Sequence, residues 1–137
     1  MSAKYLVELF ARPVGECADI KYIPTVLGSD PVSKVVKLMV RENVGAVIVI
    51  GMALPIGVIT EKDVLSRVVR TGKDLDQTLA MDVMSKPVIT IEHDRSMKEA
   101  LELMRKHNFR RLPVMKKGNL IGLVTERRLL EAAFLVT

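Results

Sequence analysis

An α+β fold, two β-α-β-β-α repeats packed sheet to sheet with pseudo-twofold symmetry, is what this chain of 137 residues predicts. Three observations lead there. The segment Gly57-Val58-Ile59-Thr60-Glu61-Lys62-Asp63 returns 65 positions later as Gly122-Leu123-Val124-Thr125-Glu126-Arg127-Arg128. At the same offset Lys21 meets Lys86, Thr25 meets Thr90, Leu38-Met39 meets Leu103-Met104, Asn43 meets Asn108, Val49 meets Val114, Ile56 meets Ile121 and Leu65 meets Leu130. Within each copy, short apolar runs alternate with stripes at helical spacing, so strands alternate with helices. One such unit of about 60 residues is marginal alone. Two together supply the missing core.

The elements follow in chain order. Residues 1–12 read as an N-terminal helical extension, 13–71 as the first repeat, 72–78 as a linker and 79–137 as the second repeat. In the first repeat Pro24 biases Ile23 toward extended geometry, giving a short strand Ile23–Val26. Asp30 as N-cap and Pro31 at the first helical position start a helix whose apolar stripe is Val32, Val35, Val36, Met39 and Val40. Asn43 and Gly45 end it. Ala46–Ile50 is a buried strand, Gly51-Met52-Ala53 a turn and Leu54–Thr60 a second strand. Glu61 opens a helix that runs to about Arg70.

The second repeat copies that order. Thr71–Asp76 is polar and leads into a short helix at Gln77–Met81, and Pro87–Ile91 is a strand. Ser96 heads a helix with Glu99 three residues on, the spacing of a capping box. Leu112–Met115 and Leu120–Val124 are strands around the turn Lys116-Lys117-Gly118-Asn119, and Glu126–Phe134 is the last helix.

Composition narrows the functional classes. Apolar residues make up 49% of the chain and aromatics only 4%, so the core is aliphatic. No apolar run reaches the roughly 18–20 residues needed to span a bilayer, and the N-terminus lacks the apolar region and cleavage site of a signal peptide. A single cysteine, Cys17, excludes an internal disulfide, and no Cys/His cluster offers a metal site. These readings predict a cytoplasmic protein without metal or cofactor and without membrane attachment. Net charge is +5, and its distribution is uneven. Residues 1–83 carry 10 Lys+Arg against 10 Asp+Glu, whereas residues 84–137 carry 11 against 6. The excess positive charge therefore lies in the second repeat and points to an anion held there.

Met84-Ser85-Lys86-Pro87-Val88-Ile89-Thr90, Ala100-Leu101-Glu102-Leu103-Met104 and Asn108-Phe109-Arg110-Arg111-Leu112-Pro113-Val114 combine with the two Gly-x-x-Thr motifs. In that order the chain resembles a tandem pair of CBS domains, the module named after cystathionine β-synthase, over about residues 14–134. The resemblance implies a stand-alone regulatory module that binds AMP, ADP or ATP between its repeats and signals to a partner by changing conformation.

The chemistry of the residues agrees with that expectation. Thr60 at a strand end and Asp63 three residues later, in the first turn of a helix, point their oxygens into one cleft. A carboxylate can accept hydrogen bonds from both ribose hydroxyls. Free N–H groups at a helix start also favour anions. The resemblance places Thr60 and Asp63 on the ribose and neighbouring phosphate, Val58 on the base pocket and Lys62 beside the ligand. It places Lys86-Pro87-Val88 along the adenine. Arg110 and Arg111 fall on the positions that hold the phosphates, where two guanidinium groups suit phosphate oxygens. The second motif differs, because Arg128 stands in the place of Asp63 while Gly45 and Ala46 stand in the places of Arg110 and Arg111. One competent site and one empty or weak site, around Thr125 and Arg128, is the expected result.

No catalytic set is legible, so an enzyme is not expected. Competing readings are a sensor of S-adenosylmethionine or methylthioadenosine, a nucleic-acid-binding protein and a structural dimerisation module. The arginine pair argues against a thioether ligand. Absence of a helix-turn-helix signal and of an aromatic stacking platform argues against nucleic acid. Val64, Leu65 and Val68 with Leu129, Leu130, Ala133 and Phe134 suggest a self-complementary patch, hence a homodimer through these helices. The protein it regulates is not named by the sequence.

Overall fold

Amphipathic periodicity and turn chemistry yield six α-helices and six strands in the computed structural model, which describes residues 2–18 and 23–135. Lys21, paired with Lys86 in the repeat alignment, lies outside the described residues. The helices are α1 (Ala3–Phe10), α2 (Val32–Glu42), α3 (Glu61–Val64), α4 (Ala80–Val83), α5 (Met97–His107) and α6 (Glu126–Leu135). The strands are β1 (Thr25–Leu27), β2 (Ala46–Gly51), β3 (Leu54–Thr60), β4 (Ile91–Glu92), β5 (Arg111–Lys116) and β6 (Asn119–Thr125). The fold is α+β with two three-stranded sheets, ordered β1-β2-β3 and β4-β5-β6.

The sheets repeat one another in register. In each, the first strand pairs parallel to the second and the second antiparallel to the third. Ala46 lies opposite Thr60 as Arg111 lies opposite Thr125, and each ladder shifts register once, at Val49/Ile50 and at Val114/Met115. Helices α2 and α5 end alike, on Asn43 (φ 52°) and Asn108 (φ 56°) in the left-handed region. Asparagine tolerates that conformation, and the next N–H closes the turn onto a methionine carbonyl, Val44 to Met39 at 3.1 Å and Phe109 to Met104 at 2.8 Å.

The chain forms two compact units that cut across the repeats. One comprises residues 23–88, the other residues 1–22 with 89–137. The segments leading into the repeats are exchanged. Val14, Cys17 and Ala18 are buried among Ile91, Met97, Met104, Leu112 and Leu129, in a core built mostly by the second repeat. Ala80 and Val83 are buried among Val32, Val35, Val47, Ile59 and Val68 of the first. Val14 and Val83 are each 0% exposed, and fully burying such a side chain contributes roughly 1.5–3 kcal/mol. Backbone bonds fix the exchange. The N–H groups of Val14 and Gly15 donate to Arg95 and His93, while those of Val32 and Ser33 donate to Thr78 and Leu75.

Several elements depart from expectation. The N-cap of α2 is Pro31, not Asp30. Asp30 instead accepts from Leu27 N–H at 2.7 Å and pairs with Lys34 at 3.2 Å, because the Thr78 and Leu75 carbonyls already satisfy the first donors of α2. The short helix begins at Ala80, since Leu79 is held extended in a bridge with Pro31. The strand foreseen at Pro87–Ile91 shrinks to Ile91–Glu92, and Pro87, which has no N–H to give a ladder, sits in an exposed bend. The strand foreseen at Ile23–Val26 starts at Thr25, where Pro24 contributes only its carbonyl, to Ile48 N–H.

The helix foreseen from Glu61 to Arg70 is α-helical only to Val64 and continues as a π-helical turn, Leu65–Val69. Val64 and Val68 are buried at 6% and 0%, and Leu129 at 2%. These three therefore serve their own cores and leave the proposed dimer patch. The exposed apolar side chains of the last helices are Leu65 and Val69 in one unit and Leu130 and Phe134 in the other. Among the described residues, no helix is long and apolar enough to cross a membrane.

Candidate functional site

Seven of the nine expected site residues fall in the unit 23–88: Val58, Thr60, Lys62, Asp63, Lys86, Pro87 and Val88. Arg110 and Arg111 belong to the other unit. The junction from β3 to α3 organises the first group. Thr60 caps α3, its hydroxyl accepting from Asp63 N–H at 3.3 Å, while the Asp63 carboxylate accepts from Thr60 N–H at 2.9 Å. This reciprocal box needs a short hydroxyl at the cap and a carboxylate three residues later, which is the motif's spacing.

Asp63 is 7% exposed and is the buried charged residue among those described. Its second oxygen accepts from the Ser85 hydroxyl at 3.0 Å, and Arg67 Nε lies 3.9 Å from it. A buried carboxylate needs such partners, because an unpaired charge out of water is costly. Arg67 also donates to the carbonyls of Val83 and Met84, both at 2.9 Å. Ser85 pairs through its backbone with Val58, giving and receiving bonds of 2.8 and 3.1 Å at the edge of β3. Gly57 makes room for this approach, since a Cβ there would lie 2.7 Å from Met84 Cγ and 3.0 Å from its Cβ.

Sequence reasoning missed Ser85 and Arg67. Signals existed for both: a hydroxyl directly before Lys86-Pro87, and a cation four residues after Asp63 on one helix. Two of the donors at the start of α3, where an anion was expected, already have partners within the chain. The N–H of Glu61 donates to Gly45 carbonyl at 3.1 Å, and that of Asp63 is capped by Thr60. Lys62 is exposed, Val58 half-buried at the β3 edge, Lys86 and Pro87 exposed and Val88 half-buried.

In the other unit Arg110 is exposed, and its carbonyl receives Glu126 N–H at 3.0 Å. Arg111 opens β5 opposite Thr125 and is half-buried. Thr125 caps α6 by accepting from Arg128 N–H at 3.0 Å, but no carboxylate returns the bond. The Arg128 guanidinium instead donates to Cys17 carbonyl at 2.9 Å and lies 3.8 Å from Glu131. Arg128 thus ties down the lead-in of its unit as Arg67 ties down Val83-Met84 in the other. Burial pushes the Cys17 thiol up, offset in part by Arg128. No group of three or more His, Cys, Asp or Glu side chains among the described residues could hold a metal ion.

Comparison with known proteins agrees with the repeat structure. The CBS domain family model matches residues 14–70 and 80–134. The CBS domain-containing protein YhcV of Bacillus subtilis is 32% identical over 102 residues, which cover 74% of this chain and 72% of YhcV. Protein MK0525 of Methanopyrus kandleri is 42% identical over 95 residues, 68% of this chain; the match spans about half of that relative, 48%. A solved CBS-domain protein from Burkholderia ambifaria superposes with a TM-score of 0.75 at 31% identity, covering 85% of each chain.

Proposed function

The chain belongs to the CBS-domain family, with two copies of the domain, and from that premise we propose that it is a regulatory module for adenine nucleotides (AMP, ADP or ATP). One observation carries the reading. A buried carboxylate, Asp63, closes the first motif with two of its acceptor positions engaged, whereas its counterpart Arg128 has none and is spent on Cys17. A carboxylate offers about four lone-pair sites, which leaves room for ribose hydroxyls on Asp63. Val58, Thr60, Lys62, Lys86, Pro87 and Val88 complete the proposed nucleoside site of this unit. Arg110 and Arg111 are the proposed phosphate-binding cations of the other.

The same bonds suggest how occupancy becomes a signal to a partner. Asp63 Oδ1 already faces both the Ser85 hydroxyl and Arg67, so a ribose hydroxyl accepted at that oxygen competes with Ser85. Releasing Ser85 loosens the segment that Arg67 and Val58 hold, residues 83–88. The proposed assembly is a homodimer through the exposed pairs Leu65/Val69 and Leu130/Phe134, which are repeat counterparts. Leu65→Glu and Leu130→Glu should yield monomers by light scattering.

Calorimetric titration with AMP, adenosine and methylthioadenosine tests the ligand class. Arg110→Ala and Arg111→Ala should weaken AMP by about tenfold or more, as expected for a lost hydrogen bond to a charged group, and leave adenosine nearly unchanged. Adenosine weakened as much as AMP would remove the phosphate role. Methylthioadenosine binding more tightly than AMP would reassign the ligand.

A further inference from the structure

We propose that the loop closing α5 is a binding platform for single-stranded nucleic acid, with Phe109 and His107 stacking on a base and Arg105, Lys106 and Arg110 meeting the phosphates. The repeat supplies its own control. Helices α2 and α5 both end on a left-handed asparagine, and the same closing bond follows each. The fold therefore asks the same of both corners. What stands around them differs.

At the first corner Val40-Arg41-Glu42-Asn43-Val44-Gly45 carries one cation and one acid, paired at 3.3 Å, and Val44 packs against the core of its unit. At the second, Arg105-Lys106-His107-Asn108-Phe109-Arg110 carries three cations and no acid. A cation or two in the last turn would complement the helix dipole, and Arg41 already shows how little the corner needs. Phe109, the counterpart of Val44, is 37% exposed and stacks on His107, with ring centroids 5.7 Å apart and planes 21° from parallel. The chain has only three phenylalanines, and this one stands at the surface beside charge.

Exposed aromatic faces flanked by cations suit single strands, whose unpaired bases offer faces to stack on and whose backbone offers regular phosphates. Duplex DNA hides its base faces, so it gains only the phosphate contacts. The stacked pair meets the absence of an aromatic platform that the sequence had counted against nucleic acid.

The experiment is fluorescence anisotropy of a labelled oligothymidylate of roughly a dozen nucleotides with the full chain, at low and raised salt, beside a duplex of equal length. The proposal expects the single strand to bind more tightly than the duplex and to weaken as salt rises. Phe109→Leu, which keeps apolar volume for the fold, should lose about tenfold in single-strand affinity. Arg110→Ala should shallow the salt slope by about one. Thermal melting verifies that both variants fold. AMP affinity should be unchanged in Phe109→Leu, since Phe109 has no part in the nucleotide site. Oligonucleotide binding without AMP binding would sink the nucleotide reading and leave this one standing. Equal affinity of wild type and Phe109→Leu for the single strand, or a preference for the duplex, would overturn it.

Discussion

At Asp63 the cost of truncation can be reckoned from the bonds made there. Asp63→Ala strands Thr60 N–H and the Ser85 hydroxyl in a site only 7% exposed. Hydrogen bonds to a charged group contribute about 1.5–3 kcal/mol, and urea unfolding should show a loss of that order. Asp63→Asn keeps an oxygen for Thr60 and an amide that can donate to Ser85, so it should cost under about 1 kcal/mol. A second residue-scale prediction concerns the hairpin turns. Both are two-residue turns needing positive φ twice. Lys117 (φ 50°) and Gly118 (φ 77°) fill one, but Met52 (φ 53°) and Ala53 (φ 64°) fill the other. A left-handed non-glycine residue costs roughly 1–2 kcal/mol, part of which glycine's freedom in the unfolded chain returns. Ala53→Gly should therefore raise stability by about 0.5–1 kcal/mol in thermal melts, and Gly118→Ala should lower it comparably.

At the scale of elements, Arg128, which stands where the first repeat has Asp63, has a structural use. It holds Cys17 carbonyl at 2.9 Å, and Cys17 is 5% exposed. Burial raises the thiol, so the folded form keeps its proton more tightly than the unfolded form. The stability this adds is present below the unfolded pKa and is lost as pH climbs through the folded one. Iodoacetamide near pH 8 should modify native Cys17 far more slowly than an unfolded control, with the rate rising as pH rises. Arg128→Ala should speed modification by freeing the lead-in, even though removing the cation pushes the thiol further up. A rate unchanged from wild type would show that the bond does not restrain that segment. Most elements were legible because strands of period two and capped helices carry local signals: β3 runs Leu54–Thr60 as read, and Ser96 caps α5 by accepting from Glu99 N–H. The π-helical turn at Leu65–Val69 was not legible, since Val64, Leu65 and Val68 all read as apolar helix. Only packing decides that Val64 and Val68 turn inward while Leu65 and Val69 face out.

For the whole molecule, the offset of 65 residues made the repeated plan visible, because both copies keep the residues that shape sheet and helix. It could not reveal that residues 14–18 pack with the second repeat's core and Ala80 and Val83 with the first's. Both lead-ins are short and apolar, and nothing local says which core receives them. The candidate site was legible to the extent that chemistry sits in a motif: Thr60 and Asp63 meet as their spacing required. Ser85 stayed hidden because it reaches Asp63 across 22 residues of chain. That bond is where the proposed ribose would act, so Asp63→Asn is the sharpest probe of the account, altering acceptor capacity while keeping the cap. Calorimetry of AMP with wild type and Asp63→Asn measures it directly. Wild type should bind about one AMP per chain, and the variant, still melting near the wild-type temperature, should lose at least tenfold in affinity, as expected when a hydrogen bond to a charged acceptor goes. Equal affinities in the two proteins, or no AMP heat in wild type, would contradict it.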